Sequence, residues 1–286
     1  MRHPVRARFP RLDQVAVEWR GRAIPVPCLF RDGTGGPAVL FVHGLGGAKE
    51  NFLAALQSPS LADCTLVCFD LPGTGLALHD QDAGLDVSGL AELTHALAGR
   101  LLPGPYFLAG ASMGGLITLL QLRRHGVGRV QGLICLEGNL AAEDCLFSRR
   151  AVSHSLESFA DTVFEEIISE LSGSPRMGDR VIAQNLVWNI DVRAYHAYSF
   201  ETVAESDSGR LLEEFLRLPV PRLFLHGEAN RTLSYLDRLR RGDVVVREIP
   251  ASGHFFFYDN PEVTFNTIGA FVHSPGHRAP ALLPKA

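Results

Sequence analysis

The sequence predicts an α/β fold, and three observations carry that expectation. Continuous apolar runs of strand length recur at 38–42, 65–69, 106–109, 130–136 and 222–226, as in strands buried on both faces. Segments of helical period lie between them, for instance Leu90, Leu93, Leu97 and Leu101. Most of the runs end in turns rich in Gly, His, Asp or Pro, the punctuation of alternating strand and helix. With 286 residues, 46% hydrophobic and 20% charged, the chain can bury a sizeable core as one large domain or two small ones.

In chain order, residues 15–19 and 24–30 read as an antiparallel pair joined by Arg20-Gly21-Arg22. The strand 38–42 ends in His43-Gly44-Leu45-Gly46-Gly47, and the strand 65–69 in Asp70-Leu71-Pro72-Gly73-Thr74-Gly75. After the helix carrying Leu90 to Leu101 comes a strand from Tyr106, the turn Gly110-Ala111-Ser112-Met113-Gly114-Gly115, and a helix closed by Gly126. The strand 130–136 ends at Glu137-Gly138-Asn139. From there to Leu218 the pattern is helical. A stripe of Leu156, Phe159, Val163, Phe164, Ile167 and Leu171 starts at a Ser155 cap and stops at Gly173. Further helices are expected at 181–188, 192–203 and 210–216. The chain then returns to strand at 222–226, ending in Gly227-Glu228-Ala229-Asn230, and at 244–249, followed by Ser252-Gly253-His254. Asn260-Pro261 opens a closing helix, and the Pro- and Ala-rich tail 274–286 is expected to be disordered.

Composition also narrows the class of function. A formal net charge of -4 without a basic stripe argues against nucleic acid as a partner. The five cysteines (Cys28, Cys64, Cys68, Cys135 and Cys145) fall largely in apolar runs, as reduced core thiols do, and Cys64 and Cys68 lack metal-finger spacing. No run is long and apolar enough to span a bilayer, and the Arg-rich start lacks a signal-peptide core, so a soluble cytoplasmic protein without a membrane is the expectation.

The chemistry centres on Gly110 to Gly115. A serine on a sharp strand-to-helix turn needs small neighbours, and the helix that follows aims N–H groups at it. Strand-HG-turn, strand-DxPGxG, strand-GxSxGG-helix, a helical insert, strand-HGE and a late GH before a closing helix together resemble the α/β-hydrolase fold. The resemblance spans roughly residues 15–271. It implies a mostly parallel eight-stranded sheet with helices on both sides and a helical cap inserted after strand 6. The core would then be 1–139 and 219–273, and the cap 140–218.

By that resemblance Ser112 is the nucleophile and His254 the base. His43 and His226 sit in HG turns where the family has structural histidines. His125, His154 and His196 read as helix-end or cap residues. Met113 N–H is one oxyanion donor, and Leu45 N–H is the other by resemblance. The acid is where the chain departs from the family. The usual aspartate position after the seventh strand is Asn230, and an amide cannot stabilise an imidazolium as a carboxylate does. The acid is assigned to Glu137 at the end of the sixth strand, with Glu228, or a weakened site oriented by Asn230, as open alternatives. In the cap, Phe147, Trp188, Tyr195, Tyr198 and Phe200 are candidates for a substrate pocket, and Arg149 is a candidate for a substrate carboxylate or phosphate. The expected activity is hydrolysis of a small-molecule ester or thioester through an acyl-enzyme, with neither metal nor cofactor required. A lyase, cyclase or carbon–carbon hydrolase of small-molecule metabolism, or a non-catalytic ligand receptor, are the alternatives.

Overall fold

The computed structural model describes residues 10–19, 21–77 and 86–274. One eight-stranded sheet runs in the order β1-β2-β4-β3-β5-β6-β7-β8. Its strands are β1 (Arg11–Trp19), β2 (Arg22–Arg31), β3 (Ala38–Val42), β4 (Thr65–Phe69), β5 (Tyr106–Ala111), β6 (Val130–Leu136), β7 (Arg222–Gly227) and β8 (Val245–Ile249). The pairings β1·β2 and β2·β4 are antiparallel, and the remaining pairings are parallel.

Successive side chains of the central strands go to opposite layers, as the pleat requires. Leu40 and Val42 of β3 join a cluster with helices α2 (Val87–Leu101) and α3 (Met113–His125). Val39 and Phe41 join the opposite cluster with α1 (Leu53–Gln57) and the closing helix α12 (Pro261–Val272). This is why the runs read as unbroken apolar stretches. All five cysteines are free and buried.

Helices α4 (Leu146–Val152), α5 (Leu156–Ser158), α6 (Phe164–Ser172), α7 (Met177–Asn189), α8 (Val192–Asp207) and α9 (Leu211–Arg217) separate β6 from β7. Short α10 (Leu236–Arg241) and α11 (Phe256–Asp259) complete the described helices. The stripe expected as one helix from Leu156 to Leu171 is interrupted by a π-helical turn, Phe159–Val163. That wider turn leaves Phe159 buried, stacked on Tyr195 of α8 with ring centroids 5.6 Å apart. A period of 3.6 and one wide turn cannot be told apart over so few residues. Ser155 caps α5 through its hydroxyl, which accepts from Ser158 N–H. Helices α1, α4 and α10 were not anticipated, because they are short and carry little apolar period; Leu146 opens α4 exposed to solvent. The expected disordered tail lies, from residue 275 onward, outside the described residues.

The helical insert is tied over the C-terminal ends of the strands by hydrogen bonds to their turns. Asn185 Nδ2 donates to Gly46 O (2.7 Å), Gly75 N–H to Asn189 O (2.7 Å), Asp191 N–H to Gly73 O (2.9 Å) and Tyr198 O–H to Pro72 O (2.9 Å). No described helix is long and apolar enough to cross a membrane.

Candidate active site

Ser112 sits between β5 and α3 with φ 51° and ψ -123°, a conformation L-residues avoid. Two glycines make it possible. A Cβ on Gly114 would strike the carbonyls of Val42 and His43, and one on Gly110 would strike the Gly114–Gly115 peptide. The turn is therefore locked by main chain against main chain. Met113 heads α3, so its N–H has no intrahelical partner. Leu45 lies across the same cavity, and among the described residues its N–H is not engaged by a main-chain acceptor.

Glu137 follows β6 and is also left-handed, at φ 43°. Its carboxylate is buried and fully engaged. Gly227 N–H donates to Oε1 (2.6 Å), Asn230 Nδ2 donates to Oε2 (2.7 Å), and His254 Nδ1 lies 2.6 Å from Oε2. Burial alone would push the His254 pKa down. The hydrogen bond and charge of Glu137, with Asp144 and Asp179 farther off, outweigh it and hold the imidazole above its ordinary value.

The other expected candidates lie elsewhere. Glu228 pairs with Arg231 (2.5 Å) and accepts from Ala251 N–H (2.8 Å), a backbone bond and a cation that together hold its pKa down. His43 is fully buried: its Nε2 accepts from Leu71 N–H (3.1 Å), its Nδ1 lies 2.9 Å from Gly44 O, and burial pushes its pKa down. It braces the turn carrying Leu45. His125 lies against Glu92, and His196 against the His154 carbonyl.

A cavity of about 430 Å³ joins these groups, lined among others by Leu45, Ser112, Met113, Glu137, Tyr195 and His254. Phe147 also lines it. The other four expected residues do not. Trp188 is 77% exposed on the outer face of α7, because the inward positions of that helix are held by Ile182, Ala183 and Leu186. Arg149 is paired with Asp207 (2.5 Å) outside this cavity. Tyr198 is buried on Pro72, and Phe200 is half exposed against His196.

Sequence reasoning missed two further residues. Asp259 accepts from Gly253 N–H (2.9 Å) through one oxygen and from Gly178 N–H (2.7 Å) through the other. It clamps the start of α7 to the loop bearing His254. Arg176, immediately before α7, lies across Gly253, where a Cβ would come within 2.7 Å of its Cδ and 3.1 Å of its Nε. A glycine at a helix start in the insert and an acid beyond the GH were the only sequence signal.

Residues 39–267 match the model of a family described as the alpha/beta hydrolase family. The chain is 24% identical over 268 residues to a 2-succinyl-6-hydroxy-2,4-cyclohexadiene-1-carboxylate synthase of Yersinia pseudotuberculosis, covering 87% of this chain and 92% of that one. Among solved structures it resembles a thermophilic esterase from Thermogutta terrifontis (TM-score 0.73, 22% identity, 92% of this chain and 100% of that one). It also resembles a putative aryl esterase from Burkholderia cenocepacia (TM-score 0.70, 19% identity, 92% and 98%).

Proposed function

The chain belongs to the alpha/beta hydrolase family, and from that premise we propose that it hydrolyses a small-molecule carboxylic ester or thioester through an acyl-enzyme. The observation that carries this reading is the Glu137–His254 bond of 2.6 Å beside a serine on a strained elbow, all facing one cavity. Glu137 accepts a hydrogen bond from Nδ1–H, which leaves Nε2 as the basic nitrogen.

In the proposed reaction, Ser112 Oγ attacks the carbonyl carbon while His254 Nε2 takes its proton. The carbonyl π pair moves onto oxygen, where the N–H groups of Leu45 and Met113 stabilise the oxyanion. The collapse of that intermediate expels the alcohol or thiol, which takes the proton from His254. Water then repeats the sequence on the acyl-serine and releases the acid. Residues 140–218 serve as the cap that shapes the acyl site, with Tyr195 and Phe147 in its wall.

A fluorophosphonate tests the assignment. It should label the protein once, at Ser112, as located by peptide mass mapping; ester turnover without a Ser112 label sinks the proposal. The kinship with the Yersinia synthases favours a second reading, a lyase, cyclase or carbon–carbon hydrolase using the same residues. That reading predicts the label at Ser112 with no turnover across a panel of esters and acyl thioesters.

A further inference from the structure

The cavity wall carries five carboxylates, and each already has a partner. Glu137 holds His254 and Asn230, and Glu143 accepts from Ser234 N–H (3.1 Å). Asp144 accepts from the N–H groups of Leu140 and Ala141 and from the Tyr235 hydroxyl, each at 2.8 Å. Glu170 pairs with Arg150 (2.7 Å), and Asp179 accepts from the Ser174 hydroxyl (2.5 Å). Against these stands one arginine in the wall, Arg176. Among the described residues its guanidinium pairs with no carboxylate and donates no hydrogen bond; only its main-chain N–H is used, toward Ser174 Oγ (3.2 Å).

Its backbone is held although its side chain is exposed and its head is free. The Asp259 carboxylate ties Gly178 and Gly253 together, so the first turn of α7 cannot drift from the loop of His254. The Arg176 stem lies on Gly253, the residue before the base, and any side chain at 253 would displace it. A planar fork of donors beside the reacting centre, with no internal acceptor, matches a carboxylate. A phosphate would bring a second negative charge among the wall's carboxylates, whereas a carboxylate brings one.

We propose that Arg176 is a specificity residue that binds a carboxylate carried by the substrate, so that the preferred substrates are half-esters or half-thioesters of short dicarboxylic acids. This rests on the hydrolase reading above and names the substrate class of that site.

The test compares ethyl hydrogen succinate with ethyl pentanoate, a neutral ester of similar length, by pH-stat titration. The parent should favour the anionic ester in kcat/KM by about tenfold or more. R176Q should raise KM for the anionic ester by about ten- to a hundredfold with little change in kcat. Its effect on the neutral ester should stay below about threefold, and R176K should recover part of the preference. No preference in the parent, or equal loss on both esters in R176Q, overturns the proposal. If the parent turns over neither ester, the hydrolase reading fails, and binding decides the role of Arg176. Ligand-observed NMR on Ser112→Ala should then detect ethyl hydrogen succinate with Arg176 present and lose it in R176Q. Equal binding with and without Arg176, or inorganic phosphate displacing the half-ester at equal concentration, overturns the carboxylate assignment.

Discussion

On the Ser112 side, position is set by main chain packed against main chain: Gly114 lies on the Val42 carbonyl and Gly110 on the peptide after Gly114. On the His254 side, position is set by side chains that reach across the sheet: Glu137 to the imidazole, Asn230 to Glu137, and Asp259 to Gly253 and Gly178. The first arrangement fails by steric clash and takes the fold with it. The second fails one hydrogen bond at a time, leaving the fold in place.

The largest expected effect comes from the side-chain half. Glu137→Gln should lower turnover of an activated ester by about four orders of magnitude, the scale seen when a triad acid becomes an amide, while circular dichroism stays unchanged. The pH profile sharpens this. His254 must be neutral to act as a base and its pKa is raised, so the parent rate should climb with pH through a midpoint above the ordinary value of about 6.5. In Glu137→Gln the main raising partner is gone while burial and the weaker pull of Asp144 and Asp179 remain, so the midpoint should fall below the parent's. A midpoint that stays put would remove Glu137 from the site. On the main-chain half, Gly114→Val should cost more than the roughly 1–3 kcal/mol of ordinary overpacking, because both obstacles are carbonyls. A thermal melt should show a Tm lower by several degrees or no cooperative transition. A variant that melts like the parent but is inactive would break the contrast.

That contrast also governs what could be read from the sequence. The glycines of the elbow are adjacent in the chain and serve their neighbours, so the GxSxGG pattern displayed Ser112 and Met113 directly. The carboxylate of Glu137 meets an amide 93 residues away and an imidazole 117 residues away. No local pattern encodes such a meeting, which is why Glu137, Glu228 and Asn230 stood as alternatives. The sheet was legible because each central strand is apolar on both faces. The insert was legible as helices, but not for which faces turn inward: Trp188 points outward while Arg176, which no period marks, lines the cavity.

Smaller effects test how the side-chain half shares its work. Asn230→Ala removes one of three partners of the Glu137 carboxylate and should cost about tenfold in turnover. Asn230→Asp should be worse than Asn230→Ala, since it sets a second carboxylate where the amide now donates. If Asn230→Asp is the more active variant, the acid has returned to the position after β7. The smallest effects belong to the helical insert. Tyr195→Ala should alter the ranking of acyl chain lengths in an ester panel, whereas Trp188→Ala should change no rate by more than about twofold.

Glu137 directly follows β6, and two residues later Asn139 donates its N–H to the Ser112 carbonyl (3.3 Å) while its side chain reaches Ser206 of α8 (3.4 Å). The root of the insert is thus the same short stretch that holds Glu137. A graft joined before Asn139 would replace the stretch that carries Glu137 together with the helical insert. A clean exchange between this chain and a relative must start beyond Asn139 and must also spare the turn after β7, whose Gly227 and Asn230 hold the Glu137 carboxylate.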